Sequence, residues 1–247
     1  MEKLKIHSIK KDFISKNGNV SAPAIILEIS GCNLKCLASN DEICQYAYPK
    51  NEIEIEWAIN FIKKNAHIKN LIIKGGEPLL YKKELEKFLK EIYKNDLEIT
   101  IHTNGTLPIL NPLTKDFKIH NYIVTIGERH FPEPGFKMTH PVTGKDFVFG
   151  TNDIDNMPKL NISAIRDICI CSPKYFLVIK KPVSELKMFL NEFISAITNT
   201  GTDFYNDYLK KYPILPNIVC VPISDEEQQG VKDFCTKHNL LYSDNLI

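Results

Sequence analysis

Three of the seven cysteines stand close enough in sequence to share one ligand. Cys32, Cys36 and Cys44 fall in the segment GCNLKCLASNDEIC, spaced C-x3-C-x7-C, directly after the apolar run Ala24–Ser30 (AIILEIS). Thiolates are soft donors, and cubane iron–sulfur clusters are held by cysteine sulfur. Three such residues on one loop can wrap three irons of a cubane and leave the fourth iron free for a substrate or cofactor. Gly31 suits a chain that must turn sharply after a strand. On residues alone the alternatives stay open. These are three unrelated thiols, or a zinc site without an obvious fourth ligand, for which this spacing is not a usual one. Cys169, Cys171 and Cys220 lie in apolar runs and Cys235 in a helical stretch, and all four read as core thiols.

A second group of residues follows the apolar run LIIK. Gly75 and Gly76 let a backbone come close to a ligand and offer it bare N–H and C=O groups. Glu77 adds a carboxylate, and Pro78 stiffens the exit, so the site can grip an ammonium group; a plain strand-to-helix turn is the alternative. The run EITIH ends in Thr103-Asn104-Gly105-Thr106, and ICIC runs into Ser172-Pro173-Lys174. Each of these read alone is a polar turn. His102 ends its strand beside these loops and is a candidate proton donor or substrate contact, with a hydrogen-bonded structural histidine as the alternative.

The elements that must position these loops alternate. Strands are expected at Ala24–Ser30, Leu71–Lys74, Glu98–His102, Tyr122–Ile126, Ile168–Cys171, Tyr175–Ile179 and Ile218–Val221, mostly as continuous apolar runs of the kind that parallel strands buried on both faces show. Helices are expected between them. Trp57, Phe61 and Ile62 mark one, Leu85, Phe88, Leu89 and Ile92 a second, and Leu186, Phe189, Leu190 and Phe193 a third. Such alternation implies βαβ units whose chemistry gathers at the carboxyl ends of the strands. The reading is one domain over residues 1–247 with an insertion at about 127–167. There Pro132, Pro134, Pro141 and Pro158 break the rhythm, as in a lid, although Asp146–Gly150 could form a strand of a small β element. Arg129 and His130 open the insertion and could meet an anionic substrate.

Taken together and in order, a strand ending in GCNLKC and a later strand ending in GGEP resemble the radical S-adenosylmethionine (SAM) superfamily. The resemblance implies an α/β fold, an incomplete (β/α)6 barrel with a parallel sheet. It implies a [4Fe–4S] cluster on Cys32, Cys36 and Cys44, and SAM bound to the unique iron with its amino group against the GGEP backbone. Electron transfer then cleaves SAM to a 5′-deoxyadenosyl radical that abstracts hydrogen from substrate; the hard chemistry belongs to the cofactor. The usual family spacing puts the third cysteine at position 39, which is Ser39 here. Cys44 is the substitute, because Cys44-Gln45-Tyr46-Ala47-Tyr48 resembles the family's C-D-T-x-Y stretch with about five residues inserted before it.

The order GCNLKC, GGEPLL, TNGT, SPK resembles 7-carboxy-7-deazaguanine synthase, which contracts the ring of 6-carboxytetrahydropterin. The resemblance spans roughly residues 4–197. In that family the TNGT and SPK segments line the SAM site, which implies Gly75, Gly76, Glu77, Thr103, Asn104, Ser172 and Lys174 as cofactor contacts. It also implies a small-molecule substrate and a low-potential electron donor such as flavodoxin or ferredoxin. The departures lie on the pterin side. Ser8-Ile9-Lys10-Lys11-Asp12-Phe13 replaces S-I-Q-G-E-G. Tyr46 replaces the threonine associated with Mg2+, which leaves that ion in doubt. His102 replaces the glutamate that commonly precedes TNGT. A radical SAM activase or peptide-modifying enzyme, whose substrate is a protein, and a non-catalytic metal-binding barrel are the readings from other classes.

Composition narrows the setting. With 31 basic and 30 acidic residues the net charge is +1, so bulk charge gives no reason to expect nucleic acid or an anionic membrane surface. The opening MEKLKIHSIKK lacks a signal-peptide core, and no apolar stretch is long enough to span a bilayer. A cytoplasmic location is therefore expected, where cysteines serve metals and catalysis more often than disulfides. A homodimer is left open.

Overall fold

The computed structural model describes residues 4–16, 20–34, 44–48, 53–93, 96–112, 114–127, 137–139, 146–148, 160–171, 174–198, 207, 210–211 and 214–244. Its centre is one eight-stranded sheet. β1 (Ile6–Lys16) runs antiparallel to β2 (Val20–Ile29). β2 then pairs in parallel with β3 (Asn70–Gly75), β3 with β4 (Glu98–Thr103), and β4 with β5 (Asn121–Ile126). A separate antiparallel pair follows, β6 (Lys137–Thr139) with β7 (Asp146–Val148). The main sheet resumes with β8 (Lys174–Lys180) beside β5, then β9 (Ile218–Val221) and β10 (Leu241–Tyr242). The strand order β1-β2-β3-β4-β5-β8-β9-β10 leaves the sheet open, with β1 and β10 as its edges.

Strand alternation sorts the sheet into two faces. Ile25, Leu27, Ile29, Leu71, Ile73, Ile99, Ile101, Tyr122, Val124, Leu177, Ile179 and Ile218 join one core with the helices. Those helices are α1 (Ile55–Lys64), α2 (Lys82–Ile92), α3 (Ile162–Cys171), α4 (Val183–Thr198) and α5 (Gln228–His238). On α2 the expected stripe of Leu85, Phe88, Leu89 and Ile92 is fully packed, each at 2% exposure or less. Burial on this scale contributes about 1.5–3 kcal/mol per side chain. The opposite face carries a smaller apolar group, Ile123, Phe176, Val178, Val219 and Val221, confined to β5, β8 and β9.

Six of the seven expected main-sheet strands form, five within a residue of the expected bounds and β2 starting four residues early at Val20, but ICIC does not. Ile168–Cys171 is the last turn of α3. Ile165, Ile168 and Cys169 are buried at i, i+3 and i+4, and Asn161 caps the helix by accepting from the Ala164 N–H (2.9 Å). Helical periodicity across Asn161–Cys171 outweighs the short apolar run at its end. α3 thus begins at Ile162, inside the stretch expected to break the rhythm, and packs into the core, and β7 meets the expectation of a strand near Asp146. β1 was not anticipated. Its middle, Lys10-Lys11-Asp12, is charged because it edges the sheet, where strands carry charge against mispairing. Trp57 is 52% exposed and stacks on Phe61 instead of entering the core, while Ala58 and Ile62 are the buried residues of α1.

Candidate cluster and cofactor site

Three loops leave the carboxyl ends of β2, β3 and β4 and lock together. The Gly76 N–H donates to the Ile29 carbonyl (2.8 Å) and the Glu77 N–H to the Gly31 carbonyl (2.9 Å). This contact requires glycine. A Cβ on Gly75 would lie 2.2 Å from the Ile29 oxygen, and one on Gly76 2.2 Å from the Gly31 oxygen. Gly75 also has φ +117°, open to few other residues.

The Glu77 carboxylate turns inward and is fully buried. It accepts from the Leu79 N–H (3.0 Å), from the Thr103 hydroxyl at both oxygens (3.0 and 2.9 Å) and from the Asn104 N–H (2.7 Å). Burial pushes its pKa up, and these hydrogen bonds oppose the rise. Glu77 thus ties the β3 loop to the β4 loop. Its carboxylate is occupied by these bonds and is not an open grip for an ammonium group. Thr103 is spent in the same contact.

The β4 loop then reaches the cysteine loop. The Asn104 side-chain amide donates to the Cys32 sulfur (3.6 Å) and to Asn33 Oδ1 (3.0 Å), and the Asn33 amide donates to the Thr106 hydroxyl (2.7 Å). The Leu34 N–H also donates to the Cys32 sulfur (3.4 Å). Sulfur surrounded by N–H donors is suited to a thiolate ligand. Asn33 was not singled out from sequence, although its place inside GCNLKC was the available signal.

Cys44 lies in the same neighbourhood. Its carbonyl accepts from the Ala47 N–H (2.8 Å), and the resulting turn is stitched to the β2 exit by Gly31 N–H to Tyr46 O (2.8 Å) and Cys32 N–H to Ala47 O (3.4 Å). Cys36 lies outside the described residues. Among the described residues no three metal-ligating side chains cluster. Cys32, with two N–H groups aimed at its sulfur, has the surroundings that suit a thiolate ligand.

Below these loops the helix-free face of the sheet is polar on its β1–β4 side. Glu28 accepts from the Ser8 hydroxyl (2.6 Å) and from Tyr46. Burial pushes the Glu28 carboxyl up, but those hydroxyls and the charges of Lys10 and Lys74 outweigh it and hold it below its ordinary value. Tyr46 is pushed up to about 12, by burial and by its bond to Glu28, and so stays a neutral donor. Its ring packs edge-on against His7. His102 is lowered to about 4 by burial and by the charge of Lys74, so at neutral pH it is an uncharged imidazole and not an acid. Its Nε2 is buried with no hydrogen-bond partner among the described residues.

One expected contact stands apart from this group. Lys174 is the first residue of β8, exposed, and level with Asn121 at the amino end of β5, so it stands at the end of the sheet away from Cys32, Gly76 and Asn104. The helical fate of ICIC explains this: a helix delivers the chain to the start of β8, not to the carboxyl end of a strand. Ser172 lies outside the described residues, as do Arg129 and His130.

Residues 21–124 match the family described as a 4Fe-4S single cluster domain. The stretch contains all three cysteines and the β3 and β4 loops. A 7-carboxy-7-deazaguanine synthase of Rickettsia prowazekii is 31% identical over 112 residues, 42% of this chain and 45% of the relative. One of Methanospirillum hungatei is 29% identical over 97 residues, 39% and 40% of the two chains. The chain is similar to the 7-carboxy-7-deazaguanine synthases and divergent from them. It matches less than half the length of these relatives. Over nearly its whole length it superposes on the crystal structure of QueE from Escherichia coli, with a TM-score of 0.57 at 16% identity, covering 97% of this chain and 92% of the other. The fold is thus of the same kind, α/β with a mostly parallel sheet, here left open. A [4Fe–4S] cluster and SAM are the cofactors that this likeness implies. No helix among the described residues is long and apolar enough to cross a membrane.

Proposed function

We propose that this chain is a radical SAM enzyme of the 7-carboxy-7-deazaguanine synthase type, a lyase that contracts the ring of 6-carboxytetrahydropterin on the way to a 7-deazapurine. Cys32, Cys36 and Cys44 hold the [4Fe–4S] cluster, and the backbone of Gly75 and Gly76 meets the amino group of SAM. When bound, the cluster and SAM supply one-electron cleavage of SAM and hydrogen abstraction from the substrate. The protein's part is to place the groups and shield them. Glu77 and Asn104 set the spacing of the three loops, and Asn104 and Leu34 N–H groups donate to the Cys32 sulfur. A low-potential flavodoxin or ferredoxin is the reductant that this reading needs.

The observation that carries the proposal is the joining of the cysteine loop to the glycine loop by Glu77 N–H to Gly31 O, together with the Cys44–Ala47 turn bonded to Gly31 and Cys32. It supports Cys44 as the third ligand despite its displaced position. The test is anaerobic reconstitution with iron and sulfide, reduction with dithionite, and assay of 5′-deoxyadenosine, with Cys44→Ala alongside. Product from the wild type and none from the variant is expected. No product from a wild-type preparation with an intact cluster overturns the mechanism, and full activity in Cys44→Ala overturns the ligand assignment.

A further inference from the structure

The helix-free face divides into halves of opposite character at one level of the sheet. Ser8 pairs with Glu28, and Glu28 with Lys74. Lys74 and His102 stand side by side, one residue past the Ile73–Ile101 pair. His102 pairs with Ile123, and Ile123 with Phe176. The row therefore reads hydroxyl, carboxylate, ammonium and imidazole, and then passes into the apolar wall of Ile123, Phe176, Val178, Val219 and Val221. It lies directly below the cofactor loops, because Lys74 precedes Gly75 and Gly76, and His102 precedes Thr103 and Asn104.

Among the described residues, two groups in this row are left over by the protein's own bonding. The Glu28 carboxylate is supplied with hydroxyl donors by Ser8 and Tyr46. Lys74 is half-buried and makes no ion pair or side-chain hydrogen bond among the described residues, acting on Glu28 and His102 only through its charge. His102 Nε2 is buried and has no hydrogen-bond partner among the described residues. Buried polar groups are normally satisfied, and one that is not asks for an absent partner. A free ammonium and an unmatched imidazole nitrogen, side by side against an apolar wall, have the character of a small-molecule pocket, in which a few placed polar groups orient a mainly apolar contact.

We propose that Lys74 and His102 form the subsite for the anionic edge of a planar heterocyclic carboxylate, Lys74 pairing with the carboxylate and His102 hydrogen-bonding to the ring edge through Nε2. The ring then lies along Ile123, Phe176 and Val178, beneath the cofactor loops. This assignment rests on the proposed function for the identity of the heterocycle. It assigns anion recognition to β3 and β4, where Lys74 and His102 stand side by side.

The test is fluorescence titration of the reconstituted protein with pterin-6-carboxylate and with unsubstituted pterin. The wild type should prefer the carboxylate. Loss of a charge-assisted contact in Lys74→Met should reduce that preference by about 10–100-fold, with partial rescue in Lys74→Arg. His102→Phe should weaken both compounds together. Circular dichroism confirms that each variant is folded, and an unfolded Lys74→Met is replaced by Lys74→Gln. A preference unchanged in a folded Lys74 variant, or no preference in the wild type, overturns the subsite. Formation of 5′-deoxyadenosine by the wild type is measured separately. If it persists while the preference is absent, the subsite fails and the radical SAM reading stands; if it is absent while the preference follows Lys74, the reverse holds.

Discussion

Replacing Glu77 by glutamine separates a carboxylate that organises the site from one that binds a ligand. In the structure its two oxygens serve four contacts from three donors, two of them backbone N–H groups that can only donate. The Glu77→Gln amide keeps one acceptor oxygen and turns an NH2 toward a donor at the other. At least one bond to an ionised group is lost, about 1.5–3 kcal/mol, and one buried N–H is left without an acceptor, about 1–3 kcal/mol. The rise in pKa from burial returns part of this, because a neutral group is cheaper to bury. A net loss of about 3 kcal/mol is expected, a large share of the roughly 5–15 kcal/mol that holds a domain together. Urea unfolding of the cluster-free protein measures it without any cofactor present. Thr103→Val, which removes one donor and leaves the carboxylate its two N–H bonds, should cost less, about 1–2 kcal/mol. An unchanged urea midpoint for Glu77→Gln, combined with weakened SAM binding in the reconstituted protein, would refute this reasoning and return Glu77 to the ligand.

Three further outcomes follow from the same structure. Gly76→Ala forces a Cβ to 2.2 Å from the Gly31 oxygen and 2.9 Å from that of Tyr46, both backbone, so a loss of about 3 kcal/mol and failure to retain a cluster are expected. Gly127→Ala, with nothing within 4 Å, should stay within about 0.5 kcal/mol in the same unfolding experiment. Acid should weaken the fold through His102. Its pKa falls from 6.5 to about 4 on folding, so between those values the unfolded chain binds more protons and stability drops as pH is lowered, by up to about 3 kcal/mol. Urea midpoints from pH 7 to pH 4 should fall more steeply for the wild type than for His102→Phe, and parallel slopes would count against a buried neutral imidazole.

The sequence by itself determined the order of the site's loops and the residues that allow their contact. A short apolar run followed by glycine reads the same in any surroundings, since packing against the helices demands apolar side chains and close approach demands the lack of a Cβ. Thus β2 to β5 and the Gly31, Gly75 and Gly76 positions were legible, as was the helix of Leu85–Ile92. Sequence did not show which way a side chain would face or what would compete for it. Glu77 reads as a free carboxylate until Thr103 and Asn104, some 26 residues away, are seen to occupy it. ICIC reads as a strand until Asn161 starts a helix that ends there, which moves Lys174 to the far end of the sheet. Lys10, Lys74 and Glu28 read as scattered charge until strand pairing aligns Lys74 and Glu28 beside His102. Such decisions belong to tertiary structure because each is a competition among partners distant in sequence for the same donor, acceptor or face, and only the folded arrangement brings the competitors within reach.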